Sequence, residues 1–201
     1  MVRHFKLMKI FFFITLVFTG SIYAGDIKSV VIHLGDQKIT AGFGGESQPR
    51  VTLPAVVGYP KSQTTRPMMG MGMGMSSQPV FGDTALQKAS QYNLSYAMQG
   101  RQVTNIKDFE KLMNHVLRSL LNVEPDEVKI LVLDADSKSM REQVTRMFFE
   151  SLGTRYLFLM NQNVSWQQAS KTSVDAAFYE MYFTKDEYDE NGASAIHAKF
   201  R

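Results

Sequence analysis

Residues 30–46 read VVIHLGDQKITAGFGGE, and this stretch sets the architecture. Val30, Val31, Ile32, His33 and Leu34 form a run rich in β-branched residues, which predicts a strand. Gly35 and Asp36 supply a turn, Ile39 to Phe43 a returning strand, and Gly44-Gly45 its end. Downstream, Val51 to Val57 predicts a third strand, in which Pro54 calls for an edge or a bulge because it has no N–H to donate. The chain therefore opens on a β-meander.

Beyond the meander the pattern breaks. Residues 58–79 hold Gly58, Pro60, Pro67, Pro79 and the run Met68-Met69-Gly70-Met71-Gly72-Met73-Gly74-Met75, which reads as a long loop. Residues 83–91 allow a short helix. A stronger helix begins at a cap on Thr104 or Asn105, with Ile106, Phe109, Leu112, Met113, Val116 and Leu120 as its apolar stripe. Val128 to Leu133 predicts a strand. Ser139 with Glu142 makes a capping box, and Met140, Val144, Met147, Phe148 and Leu152 form the buried face of the helix it opens, stopped by Gly153. Tyr156 to Met160 predicts another strand. Residues 164–181 predict a helix with Trp166, Ala169, Ala177, Phe178 and Met181 as buried positions. Strands first, then helix and strand in alternation, give an α/β domain with a mixed sheet and packed helices.

Composition narrows the function classes. The 201 residues are 44% hydrophobic, too apolar for a disordered chain, and contain no Cys. That excludes a disulfide scaffold, a thiolate zinc site and a Cys nucleophile. The first 24 residues carry Arg3, Lys6 and Lys9, then the apolar run of residues 10–18, then small and polar residues up to Ala24. This is the layout of a secretory signal peptide, and the run is short of the roughly 20 residues a spanning helix needs. Those three bases account for the whole formal charge of +3, so residues 25–201 are neutral and no basic patch argues for nucleic acid.

Read together, these segments resemble actin. Ala41 to Glu46 with Pro49-Arg50 is similar to AGFAGDDAPR, and Leu53-Pro54 through Gly58-Tyr59-Pro60 to FPSIVGRP. Met68-Met69-Gly70-Met71-Gly72 is similar to MVGMG, Gly82-Asp83-Thr84-Ala85 to GDEA, and Val103-Thr104-Asn105 with Asp108, Glu110 and Lys111 to VTNWDDMEK. Arg141-Glu142 and Met147 to Glu150 follow in order, and Lys185 to Gly192 with Ser194, His197 and Lys199 resembles KQEYDESGPSIVHRK. The resemblance runs to Gln162 and resumes at Val164-Ser165-Trp166, so the half of actin lying between those points is missing.

The resemblance implies an actin-like, ribonuclease-H-like half fold. Residues 25–57 and 92–201 would form a domain like actin's subdomain 1, and residues 58–91 a small mobile insertion like subdomain 2, with subdomains 3 and 4 absent. Actin's phosphate hairpin, DNGSGLVK, aligns with residues 33–40. His33 replaces the metal-associated acid, Asp36 the phosphate-contacting serine, Gln37 the second glycine and Thr40 the lysine, while Lys38 is expected one strand face away. The expectation is no cofactor, no metal and no catalysis. His33 and His197 read as structural rather than as ligands.

For partners, the resemblance implies Met68, Met69, Met71, Met73 and Met75 as an adaptable docking loop. Ala177 and Met181 stand in what would be the cleft-facing helix, where Thr172 and Asp175 replace apolar positions. Tyr188 is placed with them and also reads as a packing residue. The functional expectation is an exported, truncated actin mimic of the bacterial effector kind, binding actin or actin-binding proteins and interfering with filament dynamics. No membrane span is expected once residues 1–24 are removed, and the exposed hinge face is a candidate dimer surface. The alternatives are a self-associating structural protein using the 66–80 loop, and a Cu(I) binder using the clustered thioethers.

Overall fold

The computed structural model describes residues 27–61, 78–133, 137–160 and 164–200. The meander forms as the sequence predicts. β1 (Ser29–Leu34), β2 (Lys38–Phe43) and β3 (Val51–Pro54) pair antiparallel, with His33 opposite Thr40 and Thr40 opposite Thr52. The predicted single strand 51–57 is two strands. It breaks at Ala55, and β4 (Val56–Pro60) leaves for a second sheet. Pro54 ends the edge strand β3, and Ala55 is held by bonds to Gln37 O (2.8 Å) and from Ala97 N (2.9 Å).

β4 is the centre of the small sheet, flanked by β5 (Val80–Phe81) and β6 (Tyr92–Tyr96). Between these lies α1 (Gly82–Gln87), shorter than the 83–91 expectation. β7 (Met98–Gln99) and β8 (Gln102–Val103) make a tight hairpin across Gly100 and Arg101, both at positive φ (54° and 64°). β9 (Lys129–Leu133) and β10 (Tyr156–Met160) then add parallel to β1, and β11 (Phe183–Thr184) closes that edge antiparallel. The main sheet has the order β11-β10-β9-β1-β2-β3.

Two helices depart from their sequence patterns in instructive ways. α2 (Ile106–Asn114) is capped by Asn105, whose side chain accepts from Asp108 N at 3.2 Å. It continues as a π-helical turn over His115–Leu120. The wider turn rotates the buried face, so Phe109, Leu112, Met113, Val116, Leu117 and Leu121 are buried. Ile106 and Leu120, at the ends of the predicted stripe, are exposed. α3 (Lys138–Arg146) likewise runs into a π turn over Met147–Leu152 and stops at Gly153, at φ 77°. Its cap is Ser137, accepting from Met140 N, and not the expected box of Ser139 and Glu142. Ser139 instead receives Gln143, and Glu142 engages His197 at 2.8 Å.

The predicted helix 164–181 is also two elements. α4 (Trp166–Ser173) is capped by Ser165, and a 3-10 turn follows over Ala176–Met181. Asp175 divides them, because its carboxylate accepts from Ala177 N (2.9 Å) and starts a new turn. Of the positions expected to be buried, Ala169 is, Trp166 and Phe178 are partly so, and Ala177 and Met181 are exposed. α5 (Lys185–Asn191) has a capping box of Thr184 and Glu187, and α6 (Ile196–Lys199) ends the described chain.

Strand alternation divides the main sheet into two faces. One presents Val30, Ile32, Leu34, Ile130, Val132, Leu157 and Leu159, all buried. Phe183, opposite Leu157, meets Phe149 edge-on (5.7 Å), which places the π turn of α3, with α2 beside it, on this face. The other face presents Ser29, Val31, His33, Lys129, Leu131, Tyr156 and Phe158. There Ser29 Oγ donates to Ser173 O (2.6 Å), and Phe158 packs on Phe178 (4.5 Å), so α4 and the 3-10 turn cover it.

Candidate functional site

The β1–β2 turn is a depression of about 510 Å³ lined by His33, Gly35, Asp36, Gln37, Lys38 and Thr40. The four sequence-singled residues His33, Asp36, Gln37 and Thr40 are therefore together. A phosphate cradle needs turn N–H groups pointing at the anion and a cation beside them. Here Gly35 N is spent on Lys38 O (2.9 Å). The Asp36 carboxylate stands exposed at the tip, 3.4 Å from Arg101 Nε. Thr40 hydroxyl meets Thr52 hydroxyl at 3.4 Å. One expectation is corrected. Lys38 and Thr40 are two apart on β2, so they share a face, and Lys38 lines the same depression.

The cleft-type positions separate by burial. Val174, Asp175, Ala177 and Met181 are exposed, and Thr172 is half-buried. Val174 and Met181 are each about half exposed (50% and 49%), an apolar surface on otherwise polar ground. Tyr188 does not belong with them. It is buried, stacked on Phe149 at 4.8 Å, and donates its hydroxyl to Glu150. Burial, and then the Glu150 carboxylate, push its hydroxyl pKa up to about 12. Its role is packing. Met68, Met69, Met71, Met73 and Met75 lie outside the described residues, as does Gln162.

α4 is pinned from beneath by hydroxyls. Ser170 Oγ donates to Glu46 O at 2.7 Å, Trp166 Nε1 reaches the same carbonyl at 3.3 Å, and Gly45 N donates to Ser170 O. A Cβ on Gly44 would stand 2.3 Å from Ser173 Oγ, so glycine is what lets the β2 end pass under α4.

A second network, which the sequence reading missed, ties the small sheet to α2. Tyr59 hydroxyl donates to the buried Asp108 carboxylate, Lys111 Nζ donates to Tyr59 Oη (2.6 Å), and Asn105 Nδ2 donates to Asp108 (2.8 Å). Burial, then the bond to Asp108, raises the Tyr59 pKa. The only sequence signal was the Asn105–Asp108 cap; Tyr59 lies 49 residues from Asp108 and nothing local links them. His197 pairs with Glu142, in keeping with a structural role. Among the described residues no group of three or more His, Asp or Glu side chains is placed to hold a metal. Nor is any helix among them long and apolar enough to cross a membrane.

The sequence that builds this site has relatives. The family described as Actin matches residues 24–174. Putative actin-29 of Dictyostelium discoideum is 34% identical over 138 residues, covering 68% of this chain and 35% of that protein. The chain thus spans about a third of the length of this curated relative. A partial actin-like α/β domain, matched over most of its length and built on the mixed sheet and helices described above, places this chain in the actin family.

Proposed function

We propose that this chain is an exported mimic of actin that binds actin or actin-binding proteins, hydrolyses no nucleotide and alters filament dynamics. The observation that supports it best is the β1–β2 turn. It resembles the family's phosphate hairpin in sequence order but carries His33, Asp36, Gln37 and Thr40, with an exposed carboxylate at the tip. Lys38 supplies one cation on that face. Lys38, with Arg101 engaged by the Asp36 carboxylate, does not make a triphosphate site.

What is left to such a domain is recognition. Ala177 and Met181 are exposed in the segment that resembles actin's cleft helix, next to the exposed Val174. A half-actin lacking the far half would dock on a filament end by its subdomain-2-like side and offer nothing to the next subunit, which caps growth. The 1–24 segment supplies the export reading.

The test is co-sedimentation of the full chain with actin filaments, together with a pyrene-actin elongation assay. Slowed elongation at substoichiometric protein is the expected result. No co-sedimentation, and unchanged elongation at high molar excess, overturns the reading. A fluorescent ATP titration showing micromolar binding overturns the nucleotide part.

A further inference from the structure

A second depression, of about 700 Å³, lies at the rim of the main sheet where β1 begins, at the opposite end of that strand from His33. It falls in the size range of small-ligand sites. Its charge is lopsided. Lys28, Arg50 and Lys129 line it, and Glu46 is the one acid among the lining residues. Glu46 is already committed: Arg50 Nε donates to its two oxygens at 2.9 and 3.0 Å, and Arg50 Nη2 donates to it as well. The Arg50 Nη1 edge of the fork is left over.

Two of the three cations share one ring. Arg50 Cζ is 4.5 Å and Lys28 Nζ 6.0 Å from the Phe43 centroid. Lys129 is 4% exposed, and its ammonium lies against the rings of Tyr179 (5.0 Å) and Tyr182 (5.9 Å). Among the described residues neither Lys28 nor Lys129 has a carboxylate within salt-bridge distance. Glu127 and Glu124 stand beyond Lys28 in an adjoining hollow, where Glu124 is taken by Arg118 (2.9 Å). A buried ammonium that lies against aromatic rings, with no carboxylate partner among the described residues, keeps much of its desolvation cost, and its charge acts on the rim through a low dielectric. Burial accordingly lowers the Lys129 pKa.

We infer that this rim depression binds a phosphate monoester carrying an apolar group. Setting the Arg50–Glu46 pair aside as neutral leaves Lys28 and Lys129, two positive charges with no carboxylate partner among the described residues, which match a dianion rather than a single carboxylate. Arg50 offers a fork edge to a phosphate oxygen, and Lys28 a movable donor. Leu121, Val123 and Val174 supply an apolar wall for the rest of the ligand.

The experiment is calorimetric titration of the full chain with phenyl phosphate at low ionic strength, beside inorganic phosphate and sodium chloride matched in ionic strength. Saturable binding of phenyl phosphate near or below about 1 mM is expected, several-fold tighter than inorganic phosphate. Lys28→Gln, at an exposed site, should weaken it about fivefold, and Lys129→Met about as much. Asn122→Asp keeps a residue type that tolerates the local φ of 54° and adds a negative charge to the lining, so it should abolish binding. A tyrosine-phosphorylated peptide that binds tenfold tighter than phenyl phosphate assigns the phosphate to a protein side chain; equal or weaker binding assigns it to a free small molecule. Absence of saturation up to about 10 mM overturns the inference, as does a signal reproduced by sodium chloride or unchanged in Lys28→Gln and Asn122→Asp.

Discussion

The two faces of the main sheet are covered by helices, yet they are different kinds of surface. One is apolar throughout, mostly Val, Ile and Leu with Ala41, Phe43 and Phe183, and is sealed by α2 and α3 with their π turns. The other carries Ser29, His33, Lys129 and Tyr156 among its apolar residues, and is crossed by an eight-residue α4 and a 3-10 turn. The first contains the buried core of a domain. The second contains His33, Lys38 and Lys129, the exposed Val174 and Met181, and the hydroxyl bonds that pin α4, while Lys28 and Arg50 lie over Phe43 at the rim of the first. Hydroxyl and backbone bonds hold a thin cover in register where apolar area alone would not.

The largest test of this contrast is a pair of truncations. Phe149→Ala removes a ring that stacks on Tyr188 and meets Phe183 edge-on, and should cost about 3–5 kcal/mol in urea unfolding. Phe178→Ala, on the thin side and half-exposed, should cost about half as much. Equal losses would erase the distinction. Next comes the link between the sheets. Asp108→Ala takes the acceptor from the Tyr59 hydroxyl and one of the Asn105 amide's bonds and should cost about 1–3 kcal/mol, with raised hydrogen exchange in β4 and β6 as its local signature.

On the sealed side, Thr145 is fully buried and its hydroxyl finds no partner among the described residues. Thr145→Val should be neutral or stabilise by up to about 1 kcal/mol in the same assay. A smaller effect concerns pH. His115 stacks on Phe81 at 4.5 Å, and burial lowers its pKa. The unfolded chain then binds the proton more readily, so stability is complete above the unfolded value near 6.5 and declines as pH falls below it, by under about 1 kcal/mol. His115→Gln should flatten that slope in thermal melts between pH 7 and pH 5. The smallest effect is Met181→Ala, within about 0.5 kcal/mol in stability because the side chain is half exposed. Under the proposed function it should still weaken filament co-sedimentation.

Much of this was legible in residues 30–46, because β-branched runs, Gly-Asp and Gly-Gly are local signals acting over a few positions. What was misread shares one cause. The break of strand 51–57 at Ala55, the split of helix 164–181 at Asp175 and the shifted stripe of α2 are each decided by a partner elsewhere in the fold or by a change of helical pitch that periodicity assumes away. The Ser139–Glu142 box failed because Ser137 caps α3 two residues earlier, which puts Ser139 inside the helix and leaves Glu142 to His197, 55 residues on. At the candidate site the residues His33, Asp36, Gln37 and Thr40 were found from order alone, whereas the standing of Lys38 needed strand alternation applied correctly.

The sequence by itself determined the meander, the alternation of later helices and strands, the family and the residues of the β1–β2 turn, since each is written in short contiguous motifs. Tertiary structure alone decided that Tyr188 packs while Met181 faces solvent, that Tyr59 answers Asp108, and that Lys28, Arg50 and Lys129 gather at one rim. Burial and charge convergence depend on which distant segments meet, and no local pattern encodes that meeting.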